Sequence, residues 1–302
     1  MDTPDRVIGM IGIGQLGLPI ATNLIQAGFQ VVGYRRTDRE AFVACGGRAL
    51  DNAADVTRQA DVLLLCLPSE AALLDVLQGA DGVLDAIRPG LVVVELATYR
   101  KAFKIDQAKR IQERGACVLE AEVSGSPPMV SQHRASLYLG GSAELIKQCK
   151  PVLDAITANQ FHIGEYGSAV AMKLIANYLV AIHTLACAEA MNLGARLGFD
   201  PGTLAEVVKH GAGGSTMFAI RAPMMAARAF RPAPGTIGTL EKYLLMGRQL
   251  VDEAGAASPL FSTAAPYFLR AIENGMAEED IAAVIKLLES ESRPERSQAI
   301  QP

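Results

Sequence analysis

The sequence predicts an α/β domain of the doubly wound kind, built on a mostly parallel sheet, followed by an all-α C-terminal domain. Three observations carry this. From Arg6 to about Ile163, short β-branched or Leu-rich runs alternate with helix-length segments, the pattern of repeated βαβ units. Several of those runs are apolar at consecutive positions, as in Val62-Leu63-Leu64-Leu65 and Val92-Val93-Val94, which suits strands covered by helices on both faces. After Gly164 the strand signals stop and helical segments follow one another. With 302 residues there is room for two domains, expected at 1–164 and 165–302.

Taken in order, strands are predicted at 7–11, 30–34, 61–67, 91–96, 117–121, 137–139 and 161–163. The second domain opens with a helix predicted at 168–197, about 45 Å long at 1.5 Å per residue, which makes it the expected spine between the domains. Further breaks fall at 198–201, 211–214, 231–235 and Ser258-Pro259. Between Ala169 and Ala188 the long helix is nearly all apolar, which raises a membrane span. Lys173 and Asn177 argue against it, because a lysine at mid-membrane costs about 3 kcal/mol. A buried helix at the interface of a homodimer or dimer of dimers is expected instead, with no membrane partner. Residues 290–302 are polar with two prolines and are expected to form a loose tail.

Half of the residues are hydrophobic and a fifth charged, an ordinary globular composition. The net charge of -4 offers no broad cationic face for a phosphate polymer, so no nucleic-acid partner is expected. Five cysteines, Cys45, Cys66, Cys117, Cys149 and Cys187, are scattered, with no Cys-x-x-Cys pair, which suits a reducing compartment. The start, Met1 to Asp5, lacks the basic and apolar stretches of an export signal, and a cytoplasmic location is expected. His133, His162, His183 and His210 show no paired metal-ligand spacing, and no Gly-x-Ser-x-Gly elbow supports a hydrolase.

The run Gly9 to Gly17 closes the first strand and opens a helix. Within it Gly12-Ile13-Gly14-Gln15-Leu16-Gly17 forms the Gly-x-Gly-x-x-Gly fingerprint of a Rossmann dinucleotide-binding domain in its proper context. Gly12 permits the tight turn, Gly14 lets a pyrophosphate approach the backbone, and Gly17 lets helix and strand pack closely. An NAD site usually carries an acidic residue at the end of the second strand. Here the chain reads Tyr34-Arg35-Arg36-Thr37, two cations and a hydroxyl that suit a 2′-phosphate, with Asp38 next in line. NADP is therefore the expected cofactor, with NAD as the alternative. Leu67-Pro68-Ser69 and Thr98 follow two further predicted strands at the carboxyl edge, where such sheets bind ligands; read singly, each is better explained as an ordinary loop.

Lys173 and Asn177 are four apart on the long helix and share one face. Burying an ammonium is expensive and is tolerated where the charge is paired or useful, so Lys173 is the acid/base candidate, against the plainer reading of a lysine that snorkels to the surface. Asn177 is equally a helix-packing amide. The segment from Glu120 through Ser124-Gly125-Ser126 to Pro128 leaves a strand at the same edge with hydroxyls and backbone N–H groups that suit a carboxylate, or forms a Pro-containing turn with no ligand.

Taken together, Gly12 to Gly17, Arg36-Thr37, Leu67-Pro68-Ser69, Val123-Ser124-Gly125, Gly167 with Lys173 and Asn177, and Lys242 resemble the β-hydroxyacid dehydrogenases over about residues 6 to 290. That family includes 3-hydroxyisobutyrate dehydrogenase and tartronate semialdehyde reductase, with 6-phosphogluconate dehydrogenase as a larger relative. The resemblance implies that Lys173 is the catalytic acid/base, that Asn177 orients the substrate, that Ser124, Gly125 and Ser126 bind it, that Lys242 lies beside the cofactor and that Thr98 lies near the nicotinamide. It implies hydride transfer between NADP and the β-carbon of a small hydroxy or oxo acid. The chain departs from the family pattern at Ser126-Pro127-Pro128-Met129, where a glycine-rich loop is usual, at His133-Arg134, where Gly-Thr is usual, and at Tyr243, where Asp usually follows Lys242. Those departures imply a reshaped pocket and motivate one rival, a noncatalytic NADP-binding sensor; an imine reductase, which shares the architecture, is the other, and Lys173 counts against it.

Overall fold

A computed structural model describes residues 6–292. It divides into two compact units, one ending at Lys173 and the other beginning at Leu174.

The first unit is built on an eight-stranded sheet of order β3-β2-β1-β4-β5-β6-β7-β8. The strands are β1 (Val7–Ile11), β2 (Gln30–Tyr34), β3 (Arg48–Ala49), β4 (Val62–Leu65), β5 (Val92–Glu95), β6 (Cys117–Ser124), β7 (Ser136–Gly140) and β8 (Gln160–Gly164). All neighbouring pairs are parallel except β6 with β7. The connecting helices are α1 (Gly17–Gln26), α2 (Glu40–Ala44), α3 (Ala53–Gln59), α4 (Glu70–Gln78), α5 (Lys101–Gln112), α6 (Pro127–Ser131) and α7 (Ala143–Ile156), and α8 (Ser168–Arg196) leaves this unit for the next. From β1 the chain winds outward to β2 and β3, then returns to lay β4 on the other side of β1. The loops after β1 and β4 therefore part, opening the crevice in which such sheets hold ligands.

Consecutive apolar residues in the strands feed two separate cores. Ile8, Met10, Leu64, Val92 and Val94 pack with Ile20 and Leu24 of α1 and Leu153 and Ile156 of α7. Ile11, Leu63, Leu65 and Val93 pack on the other face with Val56 of α3, Leu73 and Leu77 of α4, and Ala108 and Ile111 of α5. Each buried aliphatic side chain contributes about 1.5–3 kcal/mol, which is why both faces are covered.

The predicted strands all form, the first two with the expected ends and the other five with shifted ends. The third stops at Leu65 because the chain turns toward Pro68, and the fourth stops at Glu95. The fifth runs three residues past the expected 121, to Ser124, and carries two buried carboxylates, Glu120 and Glu122. The two-residue β3, paired to Val32 and Gly33, escaped the sequence reading because it is too short to show an alternation.

In the second unit α8 is followed by α9 (Pro201–Lys209), α10 (Thr216–Ala227), α11 (Ile237–Ala254), α12 (Pro259–Glu273), a 3₁₀ turn (Ile281–Val284) and α13 (Ile285–Glu291). Asp200, Ser215 and Thr236 each accept a backbone N–H three residues on, so α9, α10 and α11 each start at a side-chain cap. Its core joins Ala181, Ala188 and Met191 of α8 to Phe218, Leu244, Phe261, Phe268 and Ile281. Tyr178 stacks on Phe261 with ring centroids 4.5 Å apart, and Arg221 pairs with the buried Asp280 at 2.6 Å. By length and composition α8 could cross a membrane. Of the expected tail from 290, Ser290 and Glu291 complete α13, and residues 293–302 lie outside the described residues, as do Met1 to Asp5.

Candidate functional site

The turn after β1 is a cradle made by the backbone. Gly12 has φ +97° and donates its N–H to the Tyr34 carbonyl at 3.1 Å. A Cβ on Gly12 would stand 2.2 Å from the Cys66 carbonyl oxygen, and one on Gly17 would stand 2.0 Å from the Gly12 carbonyl oxygen, so both glycines are demanded by close approach. Gly14 differs: a Cβ there would meet nothing within 4 Å. Ile13 is buried, Gln15 is exposed, and Leu16 stands at the N-cap of α1 without a side-chain hydrogen bond to the first turn. Open space over Gly14, before a helix start that no side chain caps, fits the pyrophosphate of a dinucleotide.

At the end of β2, Arg36, Thr37, Asp38 and Arg39 line a surface cavity of about 600 Å³ with Glu40, Val43 and Ala44 of α2. Arg35 pairs with Asp38 at 3.3 Å, with Arg35 partly and Asp38 largely exposed. Arg39 lies over the Tyr34 ring, 5.4 Å from its centroid, and donates to the Arg35 carbonyl.

The loops after β4 and β5 are tied together. The Leu67 carbonyl accepts the Tyr99 hydroxyl at 2.8 Å, Pro68 is exposed, and Ser69 caps α4. Glu70 takes Arg100 through both carboxylate oxygens, with Nε at 2.9 Å and Nη2 at 2.5 Å, and Arg100 holds the Glu70 carboxyl below its ordinary range.

Beneath this edge lies a charge network that the sequence reading missed. Lys104 of α5 has no exposed side-chain surface; its Nζ contacts Glu122 and lies 3.0 Å from Glu120, both likewise fully buried, and it donates to the Ala97 carbonyl at 2.8 Å. Burial alone would lower the Lys104 amine, but the Glu122 and Glu120 carboxylates hold it above its ordinary value, so it carries its charge. Burial pushes the Glu122 carboxyl up, against the pull of Lys104. Glu95, which accepts the Ala97 N–H at 2.9 Å, is pushed by burial up to about 8 and is protonated at neutral pH. The other oxygen of Glu122 receives the Thr98 hydroxyl at 2.5 Å. The other oxygen of Glu120 accepts the N–H groups of Gly167 and Ala169, at 2.9 and 3.0 Å, and so caps the start of α8. The signal was available in the sequence: 104, 107, 108 and 111 form one helical stripe, all buried, and Glu120 and Glu122 share one face of a strand.

Ser124 ends β6 opposite Ser136, Gly125 is exposed, and Ser126 precedes α6. Pro127 and Pro128 remove two of the N–H groups that a helix start ordinarily offers an anion. Met129 packs on the first core. His133 and Arg134 are both exposed; His133 Nδ1 lies 3.2 Å from the Ile156 carbonyl of α7 and 3.5 Å from the Asn23 amide of α1, and Arg134 donates to Gln132.

Lys173 is 8 % exposed on α8, between the buried Val170 and Leu174. Asn177, one turn further, is half-buried and falls in the second unit, as does the half-buried Lys242 of α11. The Lys242 ammonium lies 5.0 Å from the centroid of the Tyr243 ring. The first unit therefore holds the glycine turn, Arg35 to Thr37, Leu67, Pro68, Thr98, residues 124–126 and Lys173.

Residues 7–164 match the family profile of the NAD binding domain of 6-phosphogluconate dehydrogenase, and residues 167–288 match that of the NAD-binding region of NADP-dependent 3-hydroxyisobutyrate dehydrogenase. The NAD-dependent L-serine dehydrogenase of Pseudomonas aeruginosa is 32% identical over 296 residues, covering 94% of this chain and 98% of that one. The chloroplastic glyoxylate/succinic semialdehyde reductase 2 of Arabidopsis thaliana is 30% identical over 285 residues, covering 94% and 79%. Among solved structures, 3-hydroxyisobutyrate dehydrogenase from Salmonella typhimurium superposes with a TM-score of 0.84 at 28% identity, covering 94% of this chain and 100% of that one. With a dinucleotide fold in the first unit, a helical second unit and such relatives along nearly its whole length, the chain belongs to the β-hydroxyacid dehydrogenase family and is an NAD(P)-dependent hydroxyacid dehydrogenase.

Proposed function

We propose that this enzyme prefers NADP and interconverts a small β-hydroxy acid with the matching aldehyde or keto acid, using Lys173 as its general acid/base. The observation that carries the reading is an amine-bearing side chain only 8 % exposed in an apolar stretch of helix. Proteins keep such a group where its charge is paired, as at Lys104, or where a proton must be handled away from bulk water, and the family pattern around Lys173 supports the second use here.

The bound dinucleotide supplies and accepts the hydride. Gly12, Ile13, Gly14, Gln15 and Leu16 hold its pyrophosphate, with Leu67, Pro68, Thr98 and Lys242 along the rest of it. Arg35, Arg36 and Thr37 take the 2′-phosphate; the cavity lined by Arg36 and Arg39 and the pairing of Asp38 with Arg35 support NADP over NAD. Lys173 gives a proton to the substrate carbonyl oxygen in reduction and removes it from the hydroxyl in oxidation, while Asn177 keeps that oxygen in line. Ser124, Gly125 and Ser126 hold the substrate carboxylate. The names of the relatives, a serine dehydrogenase and a glyoxylate and semialdehyde reductase, share a short carboxylic acid and support that class.

Lys173→Ala tests the assignment. Turnover should fall about 10²- to 10⁴-fold, while fluorescence titration shows NADPH binding unchanged; full turnover in this variant would remove Lys173 from the chemistry. A panel of aldehyde acids, β-keto acids and cyclic imines separates the rivals: reduction of imines alone would make the protein an imine reductase, and binding without any turnover would make it a sensor. We further propose a cytoplasmic homodimer or dimer of dimers, supported by the thiol state of all five cysteines and by exposed Leu193, Leu197 and Phe199 on the second unit, and testable by solution mass.

A further inference from the structure

We propose that Glu122, held by Lys104, is a positioning residue that makes the Thr98 hydroxyl an obligate acceptor. The site thereby selects a cofactor whose ring substituent carries an N–H donor, a primary amide in preference to a ketone. The inference rests on the dinucleotide reading above and deepens it.

A threonine hydroxyl has one proton and two acceptor positions. Here the proton is committed: Thr98 Oγ1 donates to Glu122 Oε2 at 2.5 Å, while Glu122 Oε1 is held by the buried Lys104 ammonium. The same ammonium grips the Ala97 carbonyl, and Glu95 grips the Ala97 N–H, so the backbone leading into Thr98 is fixed from both sides. Thr98 is 6 % exposed, which leaves its hydroxyl little freedom to turn to another acceptor. What remains for a ligand is lone pairs alone. Thr98 follows β5, two strands from the glycine turn at β1 and on the opposite side from β2. A dinucleotide laid across this crevice with its pyrophosphate at β1 and its 2′-phosphate end over β2 would bring its nicotinamide half across β4 toward β5.

Glu122→Gln should invert the polarity. Lys104 has donors only and must face the amide oxygen, so the NH₂ of the introduced glutamine turns to Thr98. Thr98 then accepts from the glutamine, and its own O–H is released toward the ligand. The readout is binding alone: titrate the full-length protein with NADPH and with the reduced 3-acetylpyridine analogue, in which a methyl ketone replaces the amide. The native protein should hold NADPH about tenfold more tightly than the ketone, the span of one good hydrogen bond. In Glu122→Gln the ratio should fall to about one or below. Thr98→Val should also lose the preference, and adding Glu122→Gln to it should change nothing more. A ratio unaltered in Glu122→Gln, with both dinucleotides weakened alike, would overturn the proposal as a merely structural role. So would a native ratio in Thr98→Val, which decides the matter even if the glutamine variant fails to fold. If the native protein bound neither dinucleotide, the cofactor reading itself would fall and this inference with it, whereas binding of both with an insensitive ratio removes only the role of Glu122.

Discussion

Glu95→Gln is expected to stabilise the protein, and only above acidic pH. In the folded chain the Glu95 carboxyl is fully buried and shifted from 4.5 to about 8, whereas the unfolded chain exposes it to water. A carboxyl whose folded value is raised contributes fully to stability below its unfolded value and loses that contribution as pH rises toward the folded one. Between pH 4.5 and 8 the unfolded state releases a proton that the folded state retains, and stability falls by about 1.4 kcal/mol per pH unit. At pH 7 this amounts to about 3 kcal/mol, a large share of a stability of order 5–15 kcal/mol. Glutamine keeps an oxygen for the Ala97 N–H, cannot ionise, and leaves Lys104 paired with Glu120 and Glu122. Urea unfolding of both proteins at pH 5, 6, 7 and 8 provides the assay. Near-coincidence at pH 5 with a widening advantage for the variant up to pH 8 is the expected result. Parallel profiles, or a variant less stable at pH 8 than the native chain, would refute the account of a neutral carboxyl beneath the sheet edge.

Lys104→Met leaves two buried carboxylates without their cation and should cost about 3–5 kcal/mol in urea melts, part of which Glu122→Gln restores when added. Gly14→Ala should fold and melt like the native protein yet lose dinucleotide binding in a titration, because its methyl enters open space, whereas Gly17→Ala should fail to fold because its methyl meets the Gly12 carbonyl. Arg36→Ala should weaken NADPH by about tenfold and leave NADH nearly unchanged, as removal of one charge-assisted contact to a 2′-phosphate would do; equal weakening of both would place Arg36 elsewhere.

The sheet was readable because its central strands, β1 and β4, are built of apolar residues and glycine alone, and covering both faces leaves that mark on the sequence. The glycine turn was readable for a similar reason: steric demand admits one residue type at Gly12 and Gly17. The polar interior was marked only by helical phase and strand alternation. Lys104 sits in a helix with Lys101, Lys109 and Arg110, and only its phase relative to Ala108 and Ile111 separates it from a wet lysine. Glu120 and Glu122 resemble the solvent face of an edge strand until β7 and α5 are laid against them, and this masked the last three residues of β6. His133, which stands where the family pattern has Gly, meets the Ile156 carbonyl through a contact distant in sequence. Such pairings depend on tertiary proximity, to which local pattern is blind.

The capping of α8 by Glu120 sets an angular reference for everything further along that helix. Gly167 and Ala169 are pinned to a carboxylate on the sheet, and Lys173 follows four residues after the second pin. Each helical residue adds about 100° of rotation and 1.5 Å of rise, so the bearing of the amine is counted out from the pin like teeth on a gear. A single residue inserted or deleted between Ala169 and Lys173 would leave the helix whole and swing the amine by more than a quarter turn, which makes this short stretch intolerant of length change even where its individual side chains are replaceable.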